Sequence, residues 1–151
     1  MLLATLRALW QRQAHTLLSF QSGPGLRQTL TNLAEQLLEE TRRPENSDII
    51  RVVLAESARH QEIGRAFVHE LGPVFGTKLT RVLEPFLQQR YSKRATLALV
   101  HQFVGSLAHY SLMSQIFKTG RWYLPGQKAY VELLVDNFMK ATSVPPLSPR
   151  P

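Results

Sequence analysis

The chain has 151 residues, a formal net charge of +7, 44% hydrophobic residues and no cysteine. This length suits one domain with its own core, and the missing cysteines exclude disulfides, thiolate metal sites and a cysteine nucleophile. No apolar run reaches the ~18 residues that a membrane span needs, and Arg7 and Arg12 interrupt the first apolar run too early for a signal peptide, so we expect a cytoplasmic protein without membrane contact.

Apolar residues recur at helical spacing through most of the chain, and sparse glycine and proline residues separate the segments. The pattern predicts seven helices and no sheet, over residues 2–21, 26–41, 49–60, 62–71, 73–91, 94–118 and 127–142. The proline-rich tail, 143–151, is predicted to be disordered. The fold class is therefore all-α, a single-domain antiparallel bundle that spans 1–142.

Two of these segments pose a local question. The β-branched residues at 49–53 would suit a buried strand, but no second candidate strand exists to pair with them, so a helix is favoured. Ser47 or Asp48 is expected to cap the amino end of that helix. In the fifth segment, Pro85 lies inside the predicted helix and is expected to kink it.

The positive charge is unevenly distributed. Residues 1–30 carry a net charge of +3, residues 31–70 carry −3 and residues 71–151 carry +7. Except for Lys93 and Arg94, the late basic residues are scattered singly, which favours a solvated face over a nucleic-acid footprint. The alternative, nonspecific binding of duplex DNA by the C-terminal half, would weaken steeply with added salt.

No group of residues has the spacing of a catalytic or metal site. The histidines never recur three or four residues apart, which a helical metal site requires; they are His15, His60, His69, His101 and His109. The acidic residues offer no pair that can be placed face to face, and no serine has the context of a nucleophile elbow. We therefore expect no enzymatic activity and no cofactor.

Several polar residues are embedded in apolar stripes. An unpaired buried amide or imidazole costs roughly 1–3 kcal/mol, so such residues are partnered, exposed or line a cavity. We predict a pocket between helices, lined by Trp10, Gln13, Leu17, Phe67, Phe75, Phe103, His109, Tyr110 and Met113. The alternatives are an ordinary core for the aromatic residues and ordinary exposure for Gln13 and His109.

The helices at 94–118 and 127–142 are apolar over more than the ~100° stripe that a surface helix needs. A helix that is apolar on two sides must be covered on two sides, most economically by the same helix pair of a twofold-related copy. The predicted homodimer interface contains Leu97, Val104, Ala108, Leu112, Val131, Leu134, Val135 and Phe138. The alternative is complete burial of both helices within one protomer.

Residues 51–73 resemble the ligand-binding half of tetracycline-repressor (TetR/AcrR) family regulators. There, an Ala-Glu…Arg stretch is followed by a helix with an aromatic residue and a Gly-Pro turn. The matching residues are Ala55, Glu56, Arg59, Glu62, Ile63, Phe67, Gly72 and Pro73, whereas His60 and Gln61 replace the usual aromatic and proline. Residues 130–139 look like part of the family's dimerisation helices.

The resemblance implies the effector-binding and dimerisation domain of a transcriptional regulator. A small hydrophobic effector would enter between the helices and change the crossing angle of the first helix. Nothing in the chain resembles the family's three-helix DNA-binding head, so DNA contact is expected only through a missing N-terminal head or a full-length partner. The alternative function is a helical protein–protein adaptor without a small-molecule pocket.

Overall fold

A computed structural model describes residues 2–20, 22–120 and 122–143. Within these ranges the chain forms seven α helices and no strand, which confirms the all-α prediction. The helices are α1 (Leu2–Leu18), α2 (Leu26–Arg42), α3 (Pro44–Glu56), α4 (Gln61–Pro73), α5 (Leu79–Leu87), α6 (Lys93–Ser111) and α7 (Gln127–Ser143). Residues 144–151, most of the predicted tail, lie outside the described residues.

Two π-helical turns interrupt segments that were predicted to be continuous α helices. The first π turn, Val74–Lys78, joins α4 to α5, and the second π turn, Leu112–Ile116, extends α6. The fifth predicted segment is therefore a π turn followed by α5, which continues past Pro85 to Leu87. No helix in the described part of the chain is long and apolar enough to cross a membrane.

The predicted cap of α3 is wrong. The helix begins at Pro44, with Arg43 in the cap position and no side-chain cap hydrogen bond. A proline fits the first helical position because its missing N–H is not needed there, so the helix starts earlier than the serine and aspartate suggest. Ser47 and Asp48 lie inside the helix, where the Ser47 hydroxyl donates to the Pro44 carbonyl at 3.0 Å.

A true serine cap begins α6. The Ser92 Oγ accepts a hydrogen bond from the Ala95 backbone N–H at 3.2 Å. We expect Ser92→Ala to lower the free energy of unfolding by about 1 kcal/mol, as measured by urea denaturation. Ser47→Ala is the matched control, and it should change stability little. Equal losses in both variants would contradict this assignment of the cap.

Buried side chains form two adjoining clusters. In the larger cluster, leucines of α2 pack against apolar residues of α5, α6 and α7. The smaller cluster joins Leu6 and Trp10 of α1 to apolar residues of α3 and α4. Phe67 of α4 packs against both clusters, and its ring meets the completely buried Trp10 edge-on, with 5.5 Å between the ring centroids. Phe67 therefore joins the two clusters beside α1.

Candidate functional site

A cavity of about 470 Å³ opens between α2, α3, α4, α6 and the second π turn. This volume lies within the roughly 300–1,000 Å³ of small-molecule pockets. Most of the lining is apolar, with a few polar residues. The lining residues are Leu37, Glu40, Thr41, Ile50, Leu54, Phe67, Leu71, Val104, Ala108, His109, Ser111, Leu112, Gln115 and Ile116.

The second π turn shapes one wall of this cavity. The Phe117 N–H donates to the Leu112 carbonyl at 2.9 Å, five residues back, so the turn holds one residue more than an α-helical turn. The Ser114 hydroxyl donates to the Tyr110 carbonyl at 2.7 Å at the start of this turn. The wider turn changes the direction of the side chains that follow Ser111, and three of its five residues line the cavity.

Glu40 is the acidic residue of the lining. Its side chain is only 11% exposed, and its Oε1 lies 3.2 Å from Nη2 of Arg43, one turn away. The Asn46 side-chain amide donates to the Glu40 backbone carbonyl at 2.6 Å and approaches its carboxylate at 3.4 Å. These contacts hold the carboxylate at the edge of the cavity, while no lysine or arginine belongs to the lining.

Three further lining residues carry uncharged polar groups. The Thr41 and Ser111 hydroxyl oxygens lie 2.9 Å apart and link α2 to α6. The Gln115 amide oxygen is buried and has no hydrogen-bond partner. Buried polar groups are nearly always paired in folded proteins, so this oxygen marks the π-turn wall as a place where a bound molecule could supply the missing partner.

The structure brings two of the predicted pocket residues to the cavity. Phe67 and His109 line it, and Trp10 lies one layer behind, against Phe67. Phe103 and Tyr110 are buried in the larger core cluster instead. Met113 is half-buried and does not belong to the lining. The side chains of three predicted residues lie outside the described residues: Gln13, Leu17 and Phe75.

Sequence reasoning missed most of the lining residues on α2, α3 and the second π turn. Leu37, Ile50 and Leu71 have the spacing of ordinary core positions, so their pattern held no signal for a cavity. Thr41 and Gln115 were the available signals, because each is a polar residue next to an apolar stripe.

A second surface is the groove between α6 and α7, called the α6–α7 groove below. Its volume is about 630 Å³ and its lining contains no Asp, Glu, Lys or Arg. Phe103 and Phe138 meet edge-on in its wall, with their centroids 5.6 Å apart. The lining residues are Leu99, His101, Gln102, Phe103, Gly105, Ser106, His109, Tyr130, Leu134, Asn137, Phe138 and Ala141.

Tyr130 ties the two helices of this groove together. Its hydroxyl donates to the Ser106 carbonyl at 2.9 Å, and its ring lies 4.4 Å from that of Tyr110. Burial, and to a smaller extent Tyr110, raise the pKa of Tyr130 above its usual value. The Tyr130 hydroxyl therefore remains protonated at neutral pH and can donate this hydrogen bond.

The predicted interface residues fall into three groups. Leu134 and Phe138 line the α6–α7 groove, and Val131 and Val135 are buried in the chain's own core. The remaining residues lie elsewhere: Val104 and Ala108 of α6 and Leu112 of the second π turn line the cavity, and Leu97 of α6 lies near Gly76 of the first π turn. His109 borders both the cavity and the groove.

The described residues hold no group of three histidine, aspartate or glutamate side chains that could bind a metal ion. The chain matches the family model described as AefR-like transcriptional repressor, C-terminal domain, over residues 28–141. No curated protein and no solved structure matches it. The matched range contains every lining residue of the cavity and of the groove.

Proposed function

Because the chain belongs to the AefR-like C-terminal domains of TetR-family transcriptional repressors, we propose that it binds a small hydrophobic effector and forms a homodimer. The cavity between α2, α3, α4 and α6 is the proposed effector site. One observation carries this assignment: an apolar cavity of about 470 Å³ with a few polar lining residues, as small-molecule sites typically have.

An effector in this cavity would act on α1 through Phe67. The Phe67 side chain lines the cavity and also contacts Trp10 of α1. A ligand shifts a conformational equilibrium only when it binds two arrangements with different affinity. The Phe67 ring contacts α1 and would also contact the ligand. A ligand that displaces this ring changes the packing of α1 on α4, so its affinity differs between the two arrangements of α1.

Tryptophan fluorescence tests the site and its coupling to α1. The chain has two tryptophans, and Trp122 is 82% exposed, so Trp122→Phe leaves Trp10 as the only reporter. We expect 4-pentylphenol, a small apolar probe, to change the Trp10 emission saturably. Excitation at the red edge of tryptophan absorption avoids absorption by the phenol.

Phe67→Leu in the same background should still bind the probe but show a much smaller Trp10 response, with affinity measured separately by calorimetry. Phe86→Leu is the matched control, because Phe86 is partly exposed on α5 and outside the cavity lining. Binding with an unchanged Trp10 signal in the Trp122→Phe chain would refute the coupling. The absence of binding of any hydrophobic compound would refute the effector site.

The α6–α7 groove is the proposed site of dimerisation. Depletion of charged residues is typical of the centre of a protein interface, and the groove lining has none. At Gly105, open space surrounds the position of an added Cβ, so a helix of a second copy could approach closely. A twofold-related copy would pack its own α6 and α7 against this groove. Because His109 borders both sites, the partner would lie beside the cavity mouth.

Exposed aromatic side chains after the second π turn favour a second candidate, a helical protein–protein adaptor. Phe117, Trp122 and Tyr123 are all exposed, and large exposed apolar groups often mark interaction surfaces. Light scattering and thermal-shift measurements separate the two functions. A dimer stabilised by hydrophobic compounds supports the effector-binding domain, whereas a monomer that responds to none of them supports the adaptor.

A further inference from the structure

We propose that the effector is a lipophilic molecule with an O–H or N–H hydrogen-bond donor and no negative charge. This inference rests on the proposed effector site and deepens it. It follows from the hydrogen-bonding capacity of the polar lining residues, of which four supply acceptors: Glu40, Thr41, Ser111 and Gln115.

The hydroxyl hydrogens of Thr41 and Ser111 are both committed within the protein. The Thr41 hydroxyl donates to the Leu38 carbonyl at 3.0 Å. A hydroxyl has one hydrogen, so Ser111 is the donor in its 2.9 Å contact with Thr41. The Ser111 oxygen retains lone pairs and no spare hydrogen, and it can therefore only accept a hydrogen bond from a ligand.

The charge of the lining selects against anions. Glu40 places a carboxylate at the cavity edge, and its paired Arg43 lies outside the lining. An ionised carboxylate is only an acceptor of hydrogen bonds. An anionic ligand would lose its hydration on entering the cavity and would lie near this carboxylate. The lining has no lysine or arginine that could pair with the charge of the ligand.

Gln115 adds an unused acceptor. Its amide oxygen is buried without a partner, and leaving a buried acceptor unpaired is unfavourable. The last torsion of a glutamine side chain is broad, so rotation can bring this oxygen into the cavity. Apart from the nitrogen of the same amide and the exposed His109 ring, the lining side chains offer a ligand no hydrogen-bond donor.

A matched compound series tests the inference by calorimetry on the full chain. 4-Pentylphenol carries a donor, 4-pentylanisole replaces its hydrogen with a methyl group, and 4-pentylbenzoate carries a negative charge. We expect the phenol to bind about threefold to tenfold more tightly than the anisole, the usual effect of one hydrogen bond. The benzoate should bind most weakly of the three.

A pair of double variants assigns the preference to the cavity. Ser111→Ala combined with Gln115→Met removes two of the four acceptors of the lining, and the ratio of phenol to anisole affinity should fall. Ser47→Ala combined with Gln88→Met makes the same changes outside the cavity and the α6–α7 groove, and the ratio should persist. Melting temperatures measured for both variants establish that each remains folded.

Each outcome of the series bears on one proposal or on both. Equal binding of phenol and anisole, or tightest binding of the benzoate, overturns the donor inference while the effector site stands. An undiminished preference for the phenol in the Ser111→Ala and Gln115→Met double variant also overturns it. If none of the three compounds binds at saturating concentration, the donor inference and the effector site both fail.

Discussion

Val104→Trp is expected to abolish binding of 4-pentylphenol while the helical fold remains. Val104 is half-buried on α6 and lines the cavity, so a larger side chain can enter the open space without displacing the core. An indole there takes the volume that the ligand would occupy. Losing about 100 Å² of apolar ligand contact costs roughly 2.5–3 kcal/mol, which corresponds to an affinity about 100-fold lower. Calorimetry measures this loss.

Val68→Trp is the matched control for this experiment. Val68 is 66% exposed on α4 and does not line the cavity, so the same substitution there should leave binding unchanged. Leu54→Trp offers a second block, because Leu54 lies in the lining and is 53% exposed, where overpacking strain is small. Wild-type affinity in both cavity variants, with normal circular dichroism, would show that the ligand binds elsewhere.

Gly105→Arg is expected to convert the proposed dimer into a monomer. The added side chain extends from α6 into the α6–α7 groove, where the lining has no acidic residue to pair with it. Burying an unpaired charge under a second copy costs roughly 3 kcal/mol or more, so the dimer dissociation constant should rise at least about 100-fold. Sedimentation equilibrium of the full chain measures this constant directly.

The monomer itself should tolerate Gly105→Arg. No atom lies within 4 Å of the position that a Cβ would occupy, and arginine favours a helix over glycine by somewhat less than about 1 kcal/mol. Glu132→Arg places the same side chain at an exposed position of α7 outside the groove and should leave the dimer intact. A wild-type chain that is monomeric, or a Gly105→Arg chain that stays dimeric, would refute the proposed interface.

These two predictions address different sides of one helix. Val104 lines the cavity and Gly105 lines the groove, although they are neighbours in sequence. Adjacent helical residues point about 100° apart, which allows α6 to contribute to both sites. Effector binding and dimerisation can thus be separated by substitutions at adjacent positions, and each variant serves as a control for the other.

The helices could be predicted from the sequence because the signals that define them are local. The second helix was predicted over 26–41 and lies at Leu26–Arg42, since Gly25 and Pro44 bound a regular leucine stripe. The resemblance of residues 51–73 to TetR-family regulators was confirmed by the family match. The start of α3 was predicted wrongly because the sequence offers two possible starts. Pro44 suits the first position of a helix, whereas Ser47 and Asp48 suit a cap three or four residues later.

The π turns could not be predicted from the apolar pattern. The segment 94–118 has the apolar content of one long helix, yet α6 ends at Ser111 and a π turn follows. A π-helical hydrogen bond differs from an α-helical one by a single residue. Local propensity does not separate them, so the choice between the two depends on packing against neighbouring elements.

The sequence by itself determined the helical class, the approximate helix limits and which residues avoid water, because spacing of apolar residues sets which face of a helix is buried. Only the tertiary structure decided whether the apolar faces of neighbouring helices pack directly against each other or leave a cavity between them. Leu33 lies in closed core, whereas Leu37, Leu71 and Val104 border a cavity. The distance between two helices depends on side chains from several segments packing together, and that information is absent from the periodicity of any one helix.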